Sequence, residues 1–103
     1  MAKTKKVPPT HPGEVLLEEF MKPYGLSAHG LATDLGLPAT RIGDLIHERR
    51  GITPETAIAL AEYFRTSVDF WLGIQMQHDK EVAEDEIGAK VRSRIRRREL
   101  IAG

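Results

Sequence analysis

The stretch SAHGLATDLGLPATRIGDLIHERRG, residues 27–51, has the pattern of two short helices that cross at a tight turn. Ser27 is a good N-cap for the first helix. Ala32 is small enough for a second helix to cross close by, and Gly36 tolerates the positive φ that such a turn requires. Pro38 can open the second helix, whose apolar side chains recur on one side, namely Ile42, Leu45 and Ile46. The segment therefore predicts a helix-turn-helix.

The opposite side of the second helix carries small or polar residues, as entry into the major groove of DNA requires. These are Ala39, Thr40, Gly43, Asp44 and His47, with Arg41 at the margin. Phosphate contacts are expected from Ser27, Arg41, Arg49 and Arg50, and base contacts from Thr40, Arg41 and His47. The predicted DNA-binding residues are therefore Ser27, Ala39, Thr40, Arg41, Asp44, His47, Arg49 and Arg50. An ordinary helical hairpin is the alternative interpretation of the same pattern.

Further helices are predicted on both sides of this segment, and no stretch alternates with the period of a strand. The first helix carries an apolar stripe of Leu16, Leu17, Phe20 and Tyr24. The start signals are Pro12 for the first helix, Thr53 with Pro54 for the fourth, and Ser67 for the fifth. The stop signals are Pro23 with Gly25 for the first helix and Gly51 for the helix that Pro38 opens. The predicted fold class is all-α, with five helices.

Composition divides the chain into three parts. Residues 1–11 are predicted to form a flexible basic arm, residues 12–77 the helix-turn-helix domain, and residues 78–103 a charged C-terminal tail. Acidic residues crowd positions 79–86 and basic residues positions 90–98. Ile87, Val91 and Ile95 fall four residues apart, so the tail is either helical or disordered.

The composition argues against several classes of function. The chain has 15 Lys and Arg against 15 Asp and Glu, so its formal net charge is zero, but the charges are segregated. It has no cysteine, and the HERRG sequence at residue 47 lacks the second histidine of a zinc-protease motif. We therefore expect no metal, no cofactor and no catalysis. No apolar run approaches the roughly 20 residues of a membrane helix, so a cytoplasmic protein is expected.

Several longer motifs carry a resemblance to a known family. They are HPGEVLLEEFMKPYGLS at residues 11–27, the helix-turn-helix itself, RRGITPETAIALAEYF at 49–64 and SVDFWLGIQ at 67–75. Over about residues 10–77 the chain resembles the Xre/Cro-like (lambda-repressor-like) helix-turn-helix class and, more narrowly, the HigA-type antitoxins, also called virulence-associated protein I. The resemblance implies a five-helix DNA-binding domain, neutralisation of an RNA-cleaving HigB-type toxin, and repression of the chain's own operon.

The recognition helix departs from the pattern of that family at its start. Members often have a serine there, followed by long polar residues, whereas this chain has Pro38, Ala39 and Thr40. Direct readout of bases is therefore expected to be thin. A solitary transcriptional regulator and a protein-interaction module without DNA binding are the alternative functions.

A homodimer is expected, because a chain this small reads too few base pairs alone. Dimers of this fold bind inverted repeats and place their recognition helices about 34 Å apart. The fifth helix has more apolar side chains than one packed face can bury, which predicts a dimer interface of Trp71, Leu72, Ile74 and Met76.

Two partners are thus expected, namely double-stranded operator DNA with an inverted repeat and a HigB-type toxin. The acidic part of the tail suits a basic toxin surface, and the arginine run after it suits DNA phosphates. A tail that is solvated and binds neither is the third alternative.

Overall fold

The computed structural model describes residues 9–100, and within that range the regular structure is entirely helical. The helices are α1 (Pro12–Val15), α2 (Ala28–Leu35), α3 (Ala39–Ile46), α4 (Pro54–Phe64), α5 (Val68–Ala83) and α6 (Ala89–Arg94). A π-helical segment, Leu16–Met21, and a 3₁₀ turn, Lys22–Tyr24, extend α1. Another π-helical segment, Glu84–Gly88, joins α5 to α6 without leaving helical φ and ψ angles. Residues 1–8 of the predicted arm lie outside the described residues.

The first residues of α1 are tightly packed. His11 is buried, and its Nδ1 accepts a hydrogen bond from the backbone N–H of Gly13 at 2.9 Å. Pro12 occupies the first helical position, where its missing N–H costs nothing. A Cβ on Gly13 would lie 2.8 Å from the carbonyl carbon of Leu45, and closer still to its oxygen. The start of α1 therefore packs directly against the end of α3.

Local start signals identify the later helices correctly. The hydroxyl of Ser27 accepts from Gly30 N–H at 3.0 Å, and that of Ser67 accepts from Phe70 N–H at 2.9 Å. Thr53 caps α4 in the same way, followed by a proline in its first turn. These hydrogen bonds confirm the predicted caps. Sequence predicts them well because each cap depends on a contact within three residues.

Three details of the predicted helices are wrong. Pro38 is the residue before α3, not its first residue, since its backbone is extended. Helix α3 ends at Ile46, well before Gly51, and the backbone reverses at Glu48, which has a φ of 62°. Tyr24 is exposed because the first helix has narrowed to a 3₁₀ turn at that point.

The core lies where α2, α3, α4 and α5 meet the first helix and its π-helical extension. Its largest fully buried side chains include Leu16, Leu31, Ile42, Leu45, Leu60 and Trp71. Trp71 has no exposed surface in the single chain, and its Nε1 donates a hydrogen bond to Thr66 Oγ1 at 2.7 Å. The prediction that placed Trp71 at a dimer interface is corrected, because this side chain has no surface left to bury.

The long helix formed by α5, the π-helical segment and α6 extends beyond this core. Residues 83–94 are all exposed apart from Gly88 and Val91, which are half-buried. Of the two forms predicted for the tail, residues 78–94 adopt the helical one, and no helix end marks the predicted boundary at residues 77 and 78. Residues 95–100 have no regular structure.

His11 gives the fold a dependence on pH. Burial lowers the pKa of His11 below its usual 6.5, and the nearby His78 lowers it further, while Glu48 and Asp79 oppose the shift. The two imidazole rings are in edge contact, with centroids 4.9 Å apart. The folded state therefore binds a proton at His11 less readily than the unfolded state does.

We expect the stability that this group contributes to be fully present above pH 6.5 and to be lost as the pH falls through the lowered pKa. A His11→Asn variant keeps a side chain that caps helices well but does not titrate. Thermal unfolding between pH 7.5 and pH 5 should show a shallower decline for this variant than for the parent chain. The stability of His29→Asn, which removes an exposed histidine, should decline with falling pH as that of the parent does. Equal slopes of stability against pH for all three proteins would contradict the role of His11.

Candidate nucleic-acid interface

Helices α2 and α3 form the helix-turn-helix that the sequence predicts. Gly36 has a φ of 69°, and Leu37 N–H donates to the carbonyl of Ala32 at 2.9 Å, which closes the turn. Leu31 and Ala32 are buried on α2, as are Ile42 and Leu45 on α3. Because these inner residues anchor both helices to the core, the opposite side of α3 is left to face outward.

The outward side of α3 is smooth at its beginning. Ala39 and Thr40 are exposed, and a Cβ at Gly43 would meet no other atom within 4 Å. Ser27, at the start of α2, is exposed as well. A surface with small side chains and open space can approach the floor of the major groove closely.

Arg41 is placed differently from the prediction. Its side chain is only 23% exposed and turns toward α4, where Nη1 forms an ion pair with Glu55 Oε1 at 2.7 Å. Its Nε is buried and has no hydrogen-bond partner within the described residues. Sequence reasoning missed Glu55, which lies 14 positions after Arg41, beyond the reach of any helical spacing rule.

The loop after α3 carries the other basic residues. Arg49 donates through Nε and Nη2 to Asp44 Oδ1, at 3.1 and 2.9 Å, and its backbone N–H donates to the carbonyl of Asp44 at 2.7 Å. His47 is the C-cap of α3, and its Nδ1 donates to the carbonyl of Gly43 at 2.8 Å. Arg50 is exposed. Arg50 thus forms no ion pair within residues 9–100, whereas Arg49 is tied to the helix it follows.

Helix α5 holds this loop in place through a residue that sequence reasoning also missed. Gln75 Oε1 accepts a hydrogen bond from Ile52 N–H at 2.6 Å, and its amide group lies against Gly51. A Cβ at residue 51 would lie 2.7 Å from Gln75 Oε1, so a larger residue there would push this amide aside and disturb its hydrogen bond to Ile52. The RRGIT and FWLGIQ motifs are therefore two halves of one contact. The joint presence of these two motifs in the sequence could have indicated that the loop after α3 contacts α5.

The remaining predicted interface residues lie on α5. Leu72 and Ile74 are half-buried, and Met76 is 68% exposed.

Within residues 9–100, no group of three or more histidine, aspartate or glutamate side chains is arranged to hold a metal ion. No helix in that part of the chain is both long and apolar enough to cross a membrane.

Comparison with known proteins supports the helix-turn-helix fold. Residues 17–71 match the helix-turn-helix family. The chain is 44% identical over 81 residues to virulence-associated protein I of Dichelobacter nodosus, an alignment that covers 79% of this chain and 75% of that protein.

Two solved structures share the fold at similar identity. The Pseudomonas aeruginosa antitoxin HigA, solved with the higBA promoter, superposes with a TM-score of 0.83 at 35% identity, covering 85% of this chain and 96% of that chain. The antitoxin GraA in complex with its operator gives a TM-score of 0.85 at 34% identity, covering 98% and 100%. The all-α helix-turn-helix prediction is confirmed, and the chain belongs to the Xre/Cro-like helix-turn-helix family, in its HigA-type antitoxin group.

Proposed function

We propose that this chain is a DNA-binding antitoxin of the cytoplasm that represses its own operon and neutralises an RNA-cleaving HigB-type toxin. The observation that carries the proposal is the outward side of α3, where Ala39, Thr40 and Gly43 leave a smooth surface. The related structures that contain promoter or operator DNA have the same fold. The role is one of binding and requires no catalytic step.

Most of the DNA affinity is proposed to come from phosphate contacts. Ser27 is exposed at the start of α2 and Arg50 in the loop after α3, where Arg49 also becomes available once it leaves Asp44. Thr40 and His47 are the candidates for base contacts, with Thr40 offering a hydroxyl and a methyl group. Asp44 and Arg41 complete the surface, and both are engaged within the chain.

The homodimer is proposed to form through the exposed side of α5. Met76 is the most exposed of the large apolar side chains there, and Leu72 and Ile74 are partly exposed on the same helix. An isologous contact of two α5 helices would give the twofold symmetry that an inverted repeat requires.

The toxin is proposed to bind the protruding helix. Its acidic part comprises Asp79, Glu81, Glu84, Asp85 and Glu86, and Ile87 beside them is about half exposed. Opposite charge would speed the encounter with a basic RNA-binding surface, and the apolar side chain would slow dissociation. Co-purification of the full chain with the product of a neighbouring reading frame tests this part, and a chain that ends at residue 83 should lose that partner but keep DNA binding.

Replacement of both Arg49 and Arg50 by alanine should weaken binding to the DNA upstream of the chain's own reading frame. Each lost phosphate contact should also reduce the slope of log affinity against log salt by about 0.9. Fluorescence anisotropy at several salt concentrations measures both quantities. Arg65→Ala, an exposed arginine after α4, is the matched control and should behave as the parent. If the double variant bound with the parental slope, phosphate contacts would have to lie elsewhere.

A further inference from the structure

Two of the three arginines beside the DNA-facing surface are already bound to carboxylates of the same chain. Arg41 lies 2.7 Å from Glu55, and Arg49 lies 2.9 Å from Asp44. Arg50 has no ion pair with any residue in the described range 9–100. Among the residues that the structure describes, the surface therefore carries three guanidinium groups, and Arg50 is the one that has no ion pair with a carboxylate.

A carboxylate and a phosphate compete for the same donors of an arginine. Both offer paired oxygens to the planar guanidinium group, so neither arginine can fully engage a phosphate while its carboxylate partner stays in place. Asp44 adds a second effect, because it lies on the outward side of α3 and its charge repels approaching phosphates. Both effects weaken binding to any DNA that does not compensate for them.

We propose that Asp44 and Glu55 act as internal competitors of DNA phosphate, holding Arg49 and Arg41 back from non-operator DNA and releasing them only to the operator. This inference rests on the proposed DNA-binding function and states how the same surface is made selective. In a loose non-operator complex, the arginines stay with their carboxylates. In the close operator complex, the phosphate contacts of the released arginines and a few base contacts together compensate for separating the pairs, and the released Asp44 can accept a hydrogen bond from a cytosine amino group.

The zero net charge of the chain fits this arrangement. A DNA-binding domain with a large positive charge binds all DNA sequences well, which lowers the ratio between operator and non-operator affinity. Here the positive charges nearest to α3 are neutralised by partners that DNA must displace. Selectivity is thus gained by weakening the wrong complex, in addition to strengthening the right one.

The test uses the isosteric variants Asp44→Asn and Glu55→Gln in the full chain. Binding is measured by fluorescence anisotropy, at several salt concentrations, to two duplexes of equal length and composition. One is the DNA upstream of the chain's reading frame, and the other is a scrambled sequence. At about 0.1 M salt, each variant should bind the scrambled duplex at least about fivefold more tightly than the parent chain does. The slope of log affinity against log salt should be steeper by about 0.9. The slope on the upstream duplex should stay as in the parent.

Two controls separate this mechanism from a simple gain of positive charge. Glu19→Gln makes the same change of net charge on the segment that extends α1, where the side chain is exposed, and should leave both slopes unchanged. In the parent chain, Arg49→Ala should change the affinity for the scrambled duplex little. In the Asp44→Asn background, it should cancel the gain in that affinity. Arg50→Ala should weaken that complex in both backgrounds.

The outcomes are distinct. Steeper slopes on the scrambled duplex alone support the proposal. Unchanged slopes, an equal change on both duplexes, or a gain in Asp44→Asn that survives Arg49→Ala would overturn it. If the parent chain did not prefer the upstream duplex at all, the proposed function would fail, and the slopes on the scrambled duplex would still report on the two carboxylates. Thermal unfolding of each variant shows that a folded protein is being compared.

Discussion

Substitution of Gly13 by alanine should destabilise the protein by about 3 kcal/mol, since over-packing of a rigid site has costs of this order. The added methyl group would overlap the backbone carbonyl of Leu45, which cannot rotate away as a side chain could. It would also disturb the hydrogen bond between Gly13 and His11 that starts α1. For a domain of this size, the midpoint of thermal unfolding should fall by more than about 10 °C.

The same substitution at Gly43 is the matched control. Gly43 lies in the middle of α3, and a Cβ there would meet no atom within 4 Å. Gly43→Ala should therefore raise stability by up to about 1 kcal/mol, through the better helix propensity of alanine. If Gly13→Ala unfolded at the parental temperature, α1 and α3 would have to pack less closely than the structure has them.

Gly13 illustrates which parts of the fold can be predicted from sequence. The helices and their N-caps follow from local rules, and Ser27, Thr53 and Ser67 form the caps expected of them. The roles of Gly13 and Gly51 are not local. Each glycine permits close approach to a distant element, Leu45 for Gly13 and Gln75 for Gly51. Sequence alone predicts a helix stop at Gly51, because a glycine that permits close packing looks the same there as one that ends a helix.

The candidate site was predictable to a similar extent. Helical periodicity correctly separates the outward side of α3 from its buried side, because both depend on one repeat along one helix. The orientation of Arg41 depends on Glu55, which belongs to another helix, and no spacing in the sequence reports that pairing. Likewise, composition predicts that Trp71 is removed from water, but packing alone decides whether a core or a partner covers it.

Introduction of glutamate at Gly43 should nearly abolish operator binding without harming the fold. The position has open space around it, and glutamate has a better helix propensity than glycine, so stability should not fall. The new carboxylate would point from the middle of α3 into the groove proposed for DNA, where it would meet base edges and repel phosphates. We expect affinity for the upstream duplex to fall by about 100-fold, which corresponds to about 2.7 kcal/mol.

Gly43→Lys separates the charge of the new side chain from its bulk. Lysine is of similar length to glutamate but is attracted to phosphates, so this variant should lose less than about tenfold in affinity and should bind with a steeper salt slope. Anisotropy titrations against the upstream duplex, with circular dichroism to verify helix content, distinguish the two. Parental affinity in Gly43→Glu would show that α3 does not enter the groove. DNA contact would then have to be sought in the loop at Arg49 and Arg50, outside α3.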